Sequence, residues 1–345
     1  MTTDKLDPAP PNPRAWLYPT PRGLYCEPGD FYVDPAVAVG KAVITHGHGD
    51  HARPGHRAAL ATPETLAIMR ARFQDMPNTA QQALKYGDSV RLGDVEVSLV
   101  PAGHILGSAQ VVLEHRGQRI VVSGDYKRRP DATCPPFEPV PCDVFITEAT
   151  FALPVFHHPS DAGEIGKLLR SLATFPERTH LVGVYALGKC QRVIKLLRAA
   201  GYDGRIWLHG SLAALCTLYR EQGVDLGDIA LVSDAILETF KGAIVLCPPS
   251  AISDRWSRRF ADPIAAMASG WMGVRARARQ RGAELPLVIS DHADWNELTQ
   301  TLKDVGAPRV WVTHGREEAL VHYARSIGIE AEALHLSGRE DEDES

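Results

Sequence analysis

The first half of the chain alternates short apolar runs with turn residues. Phe31–Val33, Lys41–Thr45, Val95–Val100, Gln110–His115, Arg119–Ser123 and Val144–Thr147 each read as a strand. Most are buried-type runs or alternations closed by Gly, Pro or Asp. Thr62 to Arg72 reads as a helix, with Thr62 as cap and Pro63 at the first position. After Phe151 the period changes. Ser160-Asp161 caps a helix running to about Leu172, and His180–Val184 is a strand. Lys189–Ala200 is a helix, Arg205–Leu208 a strand, Ser211–Gln222 a helix and Ala243–Cys247 a strand. That alternation predicts a parallel α/β unit. The earlier strand type returns at Leu287–Ser290 and Arg309–Thr313, each followed by a histidine-bearing turn. The pattern predicts one domain interrupted by an inserted α/β domain.

Composition narrows the class. A chain of 345 residues makes one large domain or two ordinary ones. With 44% hydrophobic and 23% charged residues, it matches a soluble globular protein. No apolar stretch approaches a membrane span, so no membrane role is expected. Met1–Pro13 is Pro-rich and polar, reads as a flexible tail, and lacks the pattern of a secretory signal. Arg339–Ser345 is acidic. The six cysteines form no C-x-x-C pair, so no disulfide framework is expected and a cytoplasmic location is. Net charge is −5, so nucleic acid can be held only by a local basic patch.

The candidate chemistry begins at His46-Gly47-His48-Gly49-Asp50-His51, directly after an apolar strand. Alternation on an extended segment puts His46, His48 and Asp50 on one face. His51 follows at once and can turn to a second metal ion. Imidazole and carboxylate ligands at a strand end suit a two-metal hydrolase. The competing reading is a histidine-rich surface loop. His104, Asp125 and His314 each stand where a predicted strand meets a loop. Taken singly, such positions are more often ordinary hydrogen-bonding residues. Their recurrence beside the His46–His51 run favours ligation.

Asp34, the His46–His51 run, His104 and Asp125 resemble the successive motifs of the metallo-β-lactamase fold. Glu148, His292 in Ser290-Asp291-His292-Ala293-Asp294, and His314-Gly315 resemble the three motifs of its β-CASP nucleases. Tyr185-Ala186-Leu187-Gly188-Lys189-Cys190-Gln191 is similar to the helix entry of their inserted cap. The resemblance implies an α/β fold, a metallo-β-lactamase αββα sandwich interrupted by a β-CASP α/β cap domain. The sandwich would span 14–155 and 284–338 and the cap 156–283, with tails at 1–13 and 339–345. It also implies a metal-dependent nuclease in which His46, His48 and His104 hold one ion. Asp50, His51 and His314 would hold the other, and Asp125 would bridge. Zn²⁺ or Mn²⁺ fits that donor mixture. Asp34 and Asp294 would orient ligands from behind. Glu148 would hold and charge His292, the proton donor to the leaving group. Asp50 and Asp125 would share in the chemistry by activating the attacking water.

Lys189, at a Gly-Lys helix start, is a candidate phosphate contact, although a simple helix start is as natural a reading. Arg128 and Arg129, and Arg275 and Arg279 in an Arg-Ala repeat, are candidate nucleic-acid contacts, with a solvated surface as the alternative. Leu24–Pro35 and His51–His56 are similar to bacterial exonucleases encoded beside an ATP-dependent DNA ligase and a helicase. The resemblance therefore implies a DNA exonuclease in repair, acting on single-stranded DNA, with that ligase and helicase as partners. His314 points the other way, to a ribonuclease like RNase J or the pre-mRNA cleavage factor. A catalytically inactive nucleic-acid scaffold is a third reading, which requires lost ligands.

Overall fold

The computed structural model describes residues 11–73 and 78–336. Residues 1–10 of the predicted flexible tail and the acidic segment 339–345 lie outside them. Pro13, at the predicted tail boundary, already opens a short 3₁₀ turn.

The first sheet contains β1 (Leu17–Thr20), β2 (Gly23–Cys26), β3 (Phe31–Val33), β4 (Lys41–Val43), β5 (Ala58–Ala61) and β6 (Ala80–Ala83), paired in chain order. Helix α1 (Pro63–Arg72) follows β5, with the Thr62 hydroxyl accepting from the Thr65 amide as its cap. A second sheet starts with β7 (Ser89–Leu92), β8 (Val95–Pro101), β9 (Ala109–His115), β10 (Gln118–Val122) and β11 (Val144–Ala149). β7 to β10 are antiparallel neighbours, whereas β11 lies parallel to β10.

Between β11 and the return to that sheet lies a third, all-parallel sheet. It contains β12 (His180–Gly183), β13 (Ile206–Leu208), β14 (Ile229–Leu231), β15 (Ile244–Cys247), β16 (Ile264–Ala268) and β17 (Leu285–Leu287), in the order β14-β13-β15-β12-β16-β17. Its helices are α2 (Asp161–Thr174), α3 (Lys189–Ala199), α4 (Ala213–Glu221), α5 (Pro249–Ser253) and α6 (Arg275–Gln280). Ser160 caps α2 by accepting from the Gly163 amide. The chain then forms α7 (Trp295–Val305), β18 (Arg309–Gly315), α8 (Glu317–Ser326) and β19 (Glu330–Ala333). β18 inserts beside β11 and pairs with β19, completing the second sheet.

Alternation along the strands divides the cores. Leu24, Phe31, Val33 and Val43 of the first sheet pack against Val97, Leu99, Val111, Leu113, Ile120, Val122 and Ile146 of the second. The outer face of the second sheet (Val112, Val121, Phe145, Val310, Val312) takes Leu298 and Leu302 of α7 and Leu320 of α8. The outer face of the first sheet takes Leu66 and Met69 of α1. Helix, sheet, sheet and helix are thus layered around one sandwich. Ile68, Ile105 and Leu106 of the sandwich join the core of the third sheet, so an apolar seam connects the two lobes.

One predicted strand is displaced. Leu287–Ser290 is not a strand of the sandwich: β17 ends at Leu287 and pairs with β16 of the third sheet. Beyond it, side chains satisfy the backbone in place of a ladder. Glu164 accepts from the Val288 amide, Lys189 donates to the Ile289 carbonyl, and Arg192 and Lys127 donate to that of Ser290. The third sheet consequently reaches past the predicted boundary at 283.

Candidate metal centre

The candidate donors stand on loops leaving β4, β8 and β10 and near the end of β18; His46 to His51 lie in bends and a turn past Val43, not on the expected extended segment. β4 stops at Val43 because Asp34 captures the next polar groups. Asp34 Oδ1 accepts from the Thr45 amide at 2.8 Å, and Oδ2 from the Thr45 hydroxyl at 2.7 Å. Oδ2 also lies 2.8 Å from His51 Nδ1. Asp34 does this from a left-handed conformation, φ 43°. His46 Nδ1 lies 3.0 Å from the Thr45 hydroxyl, and His104 Nδ1 donates to the Asp291 carbonyl at 2.8 Å. In each ring the partnered Nδ1 leaves Nε2 as the inward lone pair. His104 follows Gly103, where a Cβ would meet the Lys127 carbonyl at 2.3 Å; only glycine permits that approach.

The inward atoms converge. Asp125 Oδ2 is 3.4 Å from both His46 Nε2 and His51 Nε2, and 3.9 Å from His104 Nε2. Asp50 Oδ2 is 3.3 Å from His51 Nε2. His48 turns the other way, with Nε2 3.4 Å from the Leu187 carbonyl and Nδ1 3.0 Å from His104 Nε2. Two imidazole lone pairs facing at that distance repel unless a cation lies between them. His46 Nε2, His51 Nε2 and Asp125 Oδ1 are buried and make no hydrogen bond within the protein. A metal ion accounts for all three. His46, His48, His104 and Asp125 offer one donor group, and Asp50, His51 and His314 a second, the donor atoms within each lying inside 4.8 Å of one another. These residues fit divalent metal ions.

The electrostatics agree. Burial, with His51 beside it, holds the His46 imidazole well below its usual pKa. Burial and His292 do the same to His104. Both rings are therefore neutral, the form that ligates. Burial alone would raise the Asp125 carboxyl, but His51 and His46 outweigh it and keep the group well below its usual range. Burial alone would lower His51, yet Asp50, Asp125 and Asp34 drive it well above its usual value. Three carboxylates around one buried ring demand a positive charge there, which a proton or a metal ion supplies.

Glu148 sits where the β11–β18 pairing shifts register between Thr147 and Ala149. Its Oε1 accepts from the Tyr126 amide at 2.8 Å, and its two oxygens lie 3.2 and 3.0 Å from His292 Nδ1. Asp125, Glu148 and His292 form a third close group. His46, His51 and His104 are 0–1% exposed, whereas His48, Asp50, His292 and His314 are 6–8% exposed. The centre therefore opens toward the latter four. His314 ends β18 in a left-handed conformation, φ 63°.

Several other expected residues lie elsewhere. Asp294 caps α7, accepting from the Glu297 amide at 3.0 Å and from the His158 amide at 2.9 Å. It supports the loop that carries His292 and no metal donor. Lys189 is buried, 3.0 Å from Asp291, so it is no surface phosphate contact. Arg128 pairs with Asp304, and Arg129 with Asp294 and Glu297; both fasten α7 to the sandwich. Arg275 and Arg279 are exposed on α6, four residues apart and so on one helix face. Among the tryptophans, Trp207 and Trp271 are buried and Trp256 is half-buried against the third sheet. Thr45, Asp291 and Arg192 went unremarked in the sequence. Only Asp291 had a local signal, as the neighbour of His292.

Removing the support behind His51 tests the centre directly. Asp34→Ala is expected to weaken metal retention about 10–100-fold, read by competition with a chelating dye.

No family model matches the chain. A polypeptide of Opitutus terrae described as "Probable DNA ligase" is 28% identical over 92% of the chain, which spans 31% of that protein's length. A ribonuclease of Thermus thermophilus is 24% identical over 87% of the chain and 86% of its own length. The fold is shared with a solved structure from Enterococcus faecalis, a protein of unknown function, at TM-score 0.58 and 12% identity, covering 87% of this chain and 80% of that one. The ribonuclease relatives and the His/Asp groups are consistent with a metal-dependent hydrolase. The chain's relatives, ribonucleases and a ligase polypeptide, fit a nuclease of the metallo-β-lactamase β-CASP kind.

Proposed function

We propose that the chain is a metal-dependent phosphodiesterase of single-stranded nucleic acid, a DNA exonuclease of repair, with two zinc or manganese ions. The observation that carries the reading is the pair of donor groups meeting at Asp125, with Glu148–His292 beside them at the opening. His46, His48, His104 and Asp125 would hold one ion, and Asp50, His51 and His314 the other, with Asp125 facing both. Such ions, when bound, bring a water toward neutral pKa and neutralise phosphate charge. The protein's own part is proton management. Glu148 fixes the His292 ring through Nδ1, and His292 gives a proton to the departing oxygen. The parallel sheet forms the cap over the sandwich, and the strand enters between them. An inactive scaffold would need missing donors, and every expected donor is present.

The likeness to a ligase polypeptide over nearly the whole chain supports DNA; a ligase and a helicase are proposed to act in the same process. His314 in the second donor group and the likeness to a ribonuclease support RNA as the alternative. Matched single-stranded DNA and RNA, linear and circular, with either end labelled, decide the matter. Faster RNA cleavage makes the protein a ribonuclease, and efficient cutting of closed circles removes the end requirement.

Binding is expected to weaken with salt, because basic side chains displace counterions from phosphates. Replacing Arg275 or Arg279 with alanine is expected to reduce the log–log salt slope by about 1 each, with metal content unchanged. An unchanged slope takes α6 out of the strand's path.

A further inference from the structure

The first donor group is supported from two sides. His46 leans on Thr45, within the sandwich. His48 and His104 lean on residues at the lobe junction. His48 Nε2 faces the Leu187 carbonyl, in the turn that begins α3. His104 Nδ1 donates to the Asp291 carbonyl, in the loop leaving β17. That carbonyl has no strand partner to hold it, so something else must fix its direction.

The same turn supplies what does. Lys189 and Arg192 stand one helical turn apart on α3, and both are buried. Lys189 Nζ is 3.0 Å from Asp291 Oδ2 and donates to the Ile289 carbonyl at 3.0 Å. Arg192 Nε is 3.1 Å from Asp291 Oδ1, and the guanidinium donates to the Ser290 carbonyl at 2.8 Å. Its other end pairs with Asp131 of the sandwich lobe. Lys127 reaches the Ser290 carbonyl from the sandwich side as well. Lys189 thereby holds one carboxylate oxygen of Asp291, Arg192 lies within ion-pair range of the other without hydrogen-bonding it, and the two preceding carbonyls are pinned. Gly188 makes the close fit possible: at φ 84°, a Cβ there would meet Ile105 at 2.4 Å. Long cations are costly to bury and do so here with carboxylates and carbonyls as partners.

We propose that Lys189 and Arg192 are positioning residues for the first donor group, acting through Asp291 to aim the carbonyl that orients His104. α3 is then the route by which the third-sheet lobe tunes one half of the metal centre, while Asp34 governs the half that contains His51. The inference rests on the reading of His104 as a metal ligand.

Zinc titration of the metal-free full chain against a chelating dye separates the possibilities. In Lys189→Met one of two binding steps is expected to weaken about 10–100-fold, the other remaining as in the unaltered protein. Lys189→Arg should restore it. In Asp34→Ala the step that depends on His51 should weaken more than the first, which Asp34 reaches only through Thr45 and His46. kcat on a labelled single strand should fall with the weakened step, while KM and the salt slope stay constant. Zinc steps like those of the unaltered protein, with raised KM and a smaller salt slope, would make Lys189 a phosphate contact and overturn the proposal. Lowered thermal stability with both zinc steps intact would reduce it to a structural tie and also overturn it. If Lys189→Met does not fold, Lys189→Met with Asp291→Asn removes both charges and is read the same way. An unaltered chain that binds no zinc, manganese or cobalt at all defeats the metal reading itself, a result distinct from variants that bind normally.

Discussion

Replacing His292 with alanine is expected to leave metal content intact and to cut phosphodiester cleavage about 10²–10⁴-fold. The ring is held by Glu148 through Nδ1 at 3.0 Å and stands on the same side of the centre as His48, Asp50 and His314. An alkoxide leaving group needs a proton, whereas a nitrophenolate does not. A nitrophenyl phosphodiester should therefore recover part of the lost rate in the variant. Glu148→Gln should follow in the same direction with a smaller loss, because the amide still accepts a hydrogen bond but no longer favours the charged ring. Metal loss in His292→Ala would instead make His292 a ligand, and equal losses on both substrates would remove it from proton transfer.

Asp125→Ala is expected to be more damaging still. It belongs to the first donor group, and its Oδ2 lies 3.4 Å from His46 Nε2 there and 3.4 Å from His51 Nε2 of the second, so it faces both. On the proposed two-ion reading, truncation would remove a ligand shared by both ions, and it removes an anion beside His51. Metal analysis should fall from close to two ions per chain to one or fewer, and cleavage should fall below that of His292→Ala. Asp125→Asn keeps the shape but not the charge, and should retain more metal than alanine and less than the unaltered protein. A metal-free preparation that still cuts the phosphodiester at the native rate would sink the two-metal reading.

The candidate donors are the part of the proposed centre most legible in the sequence. Four of them fall within six consecutive positions, and the others directly follow apolar runs. Short loops leaving buried strands of one sandwich bring these residues together, so local pattern and spatial convergence coincide there. The nucleic-acid contacts are a different case. Lys189 and Arg129 have the charge of phosphate ligands, yet their partners lie 100 and 168 positions away, at the Ile289 carbonyl and Glu297. Nothing within a window of ten residues distinguishes a cation that meets solvent from one that meets a carboxylate across a lobe junction. Asp294 misleads for a related reason. Its neighbourhood to His292 suggests the site, while its spacing to Glu297 makes a capping box for α7. The strand expected at Leu287–Ser290 shows the same limit. Its apolar pattern is that of a buried segment, which an irregular stretch tied down by Glu164, Lys189 and Arg192 satisfies equally well.

The sequence by itself determined the strand and helix periods, the change of period after Phe151, and the donor types at each strand end. Those follow from side-chain alternation, capping and ligand chemistry, all local properties. Tertiary structure alone decided which of the two histidine nitrogens faces inward. It also decided where the third sheet ends and which cations are spent inside the protein. Each of these depends on a partner brought close by the packing of one lobe on the other, and the free energy of burying a charge is set by that partner and not by its neighbours along the chain.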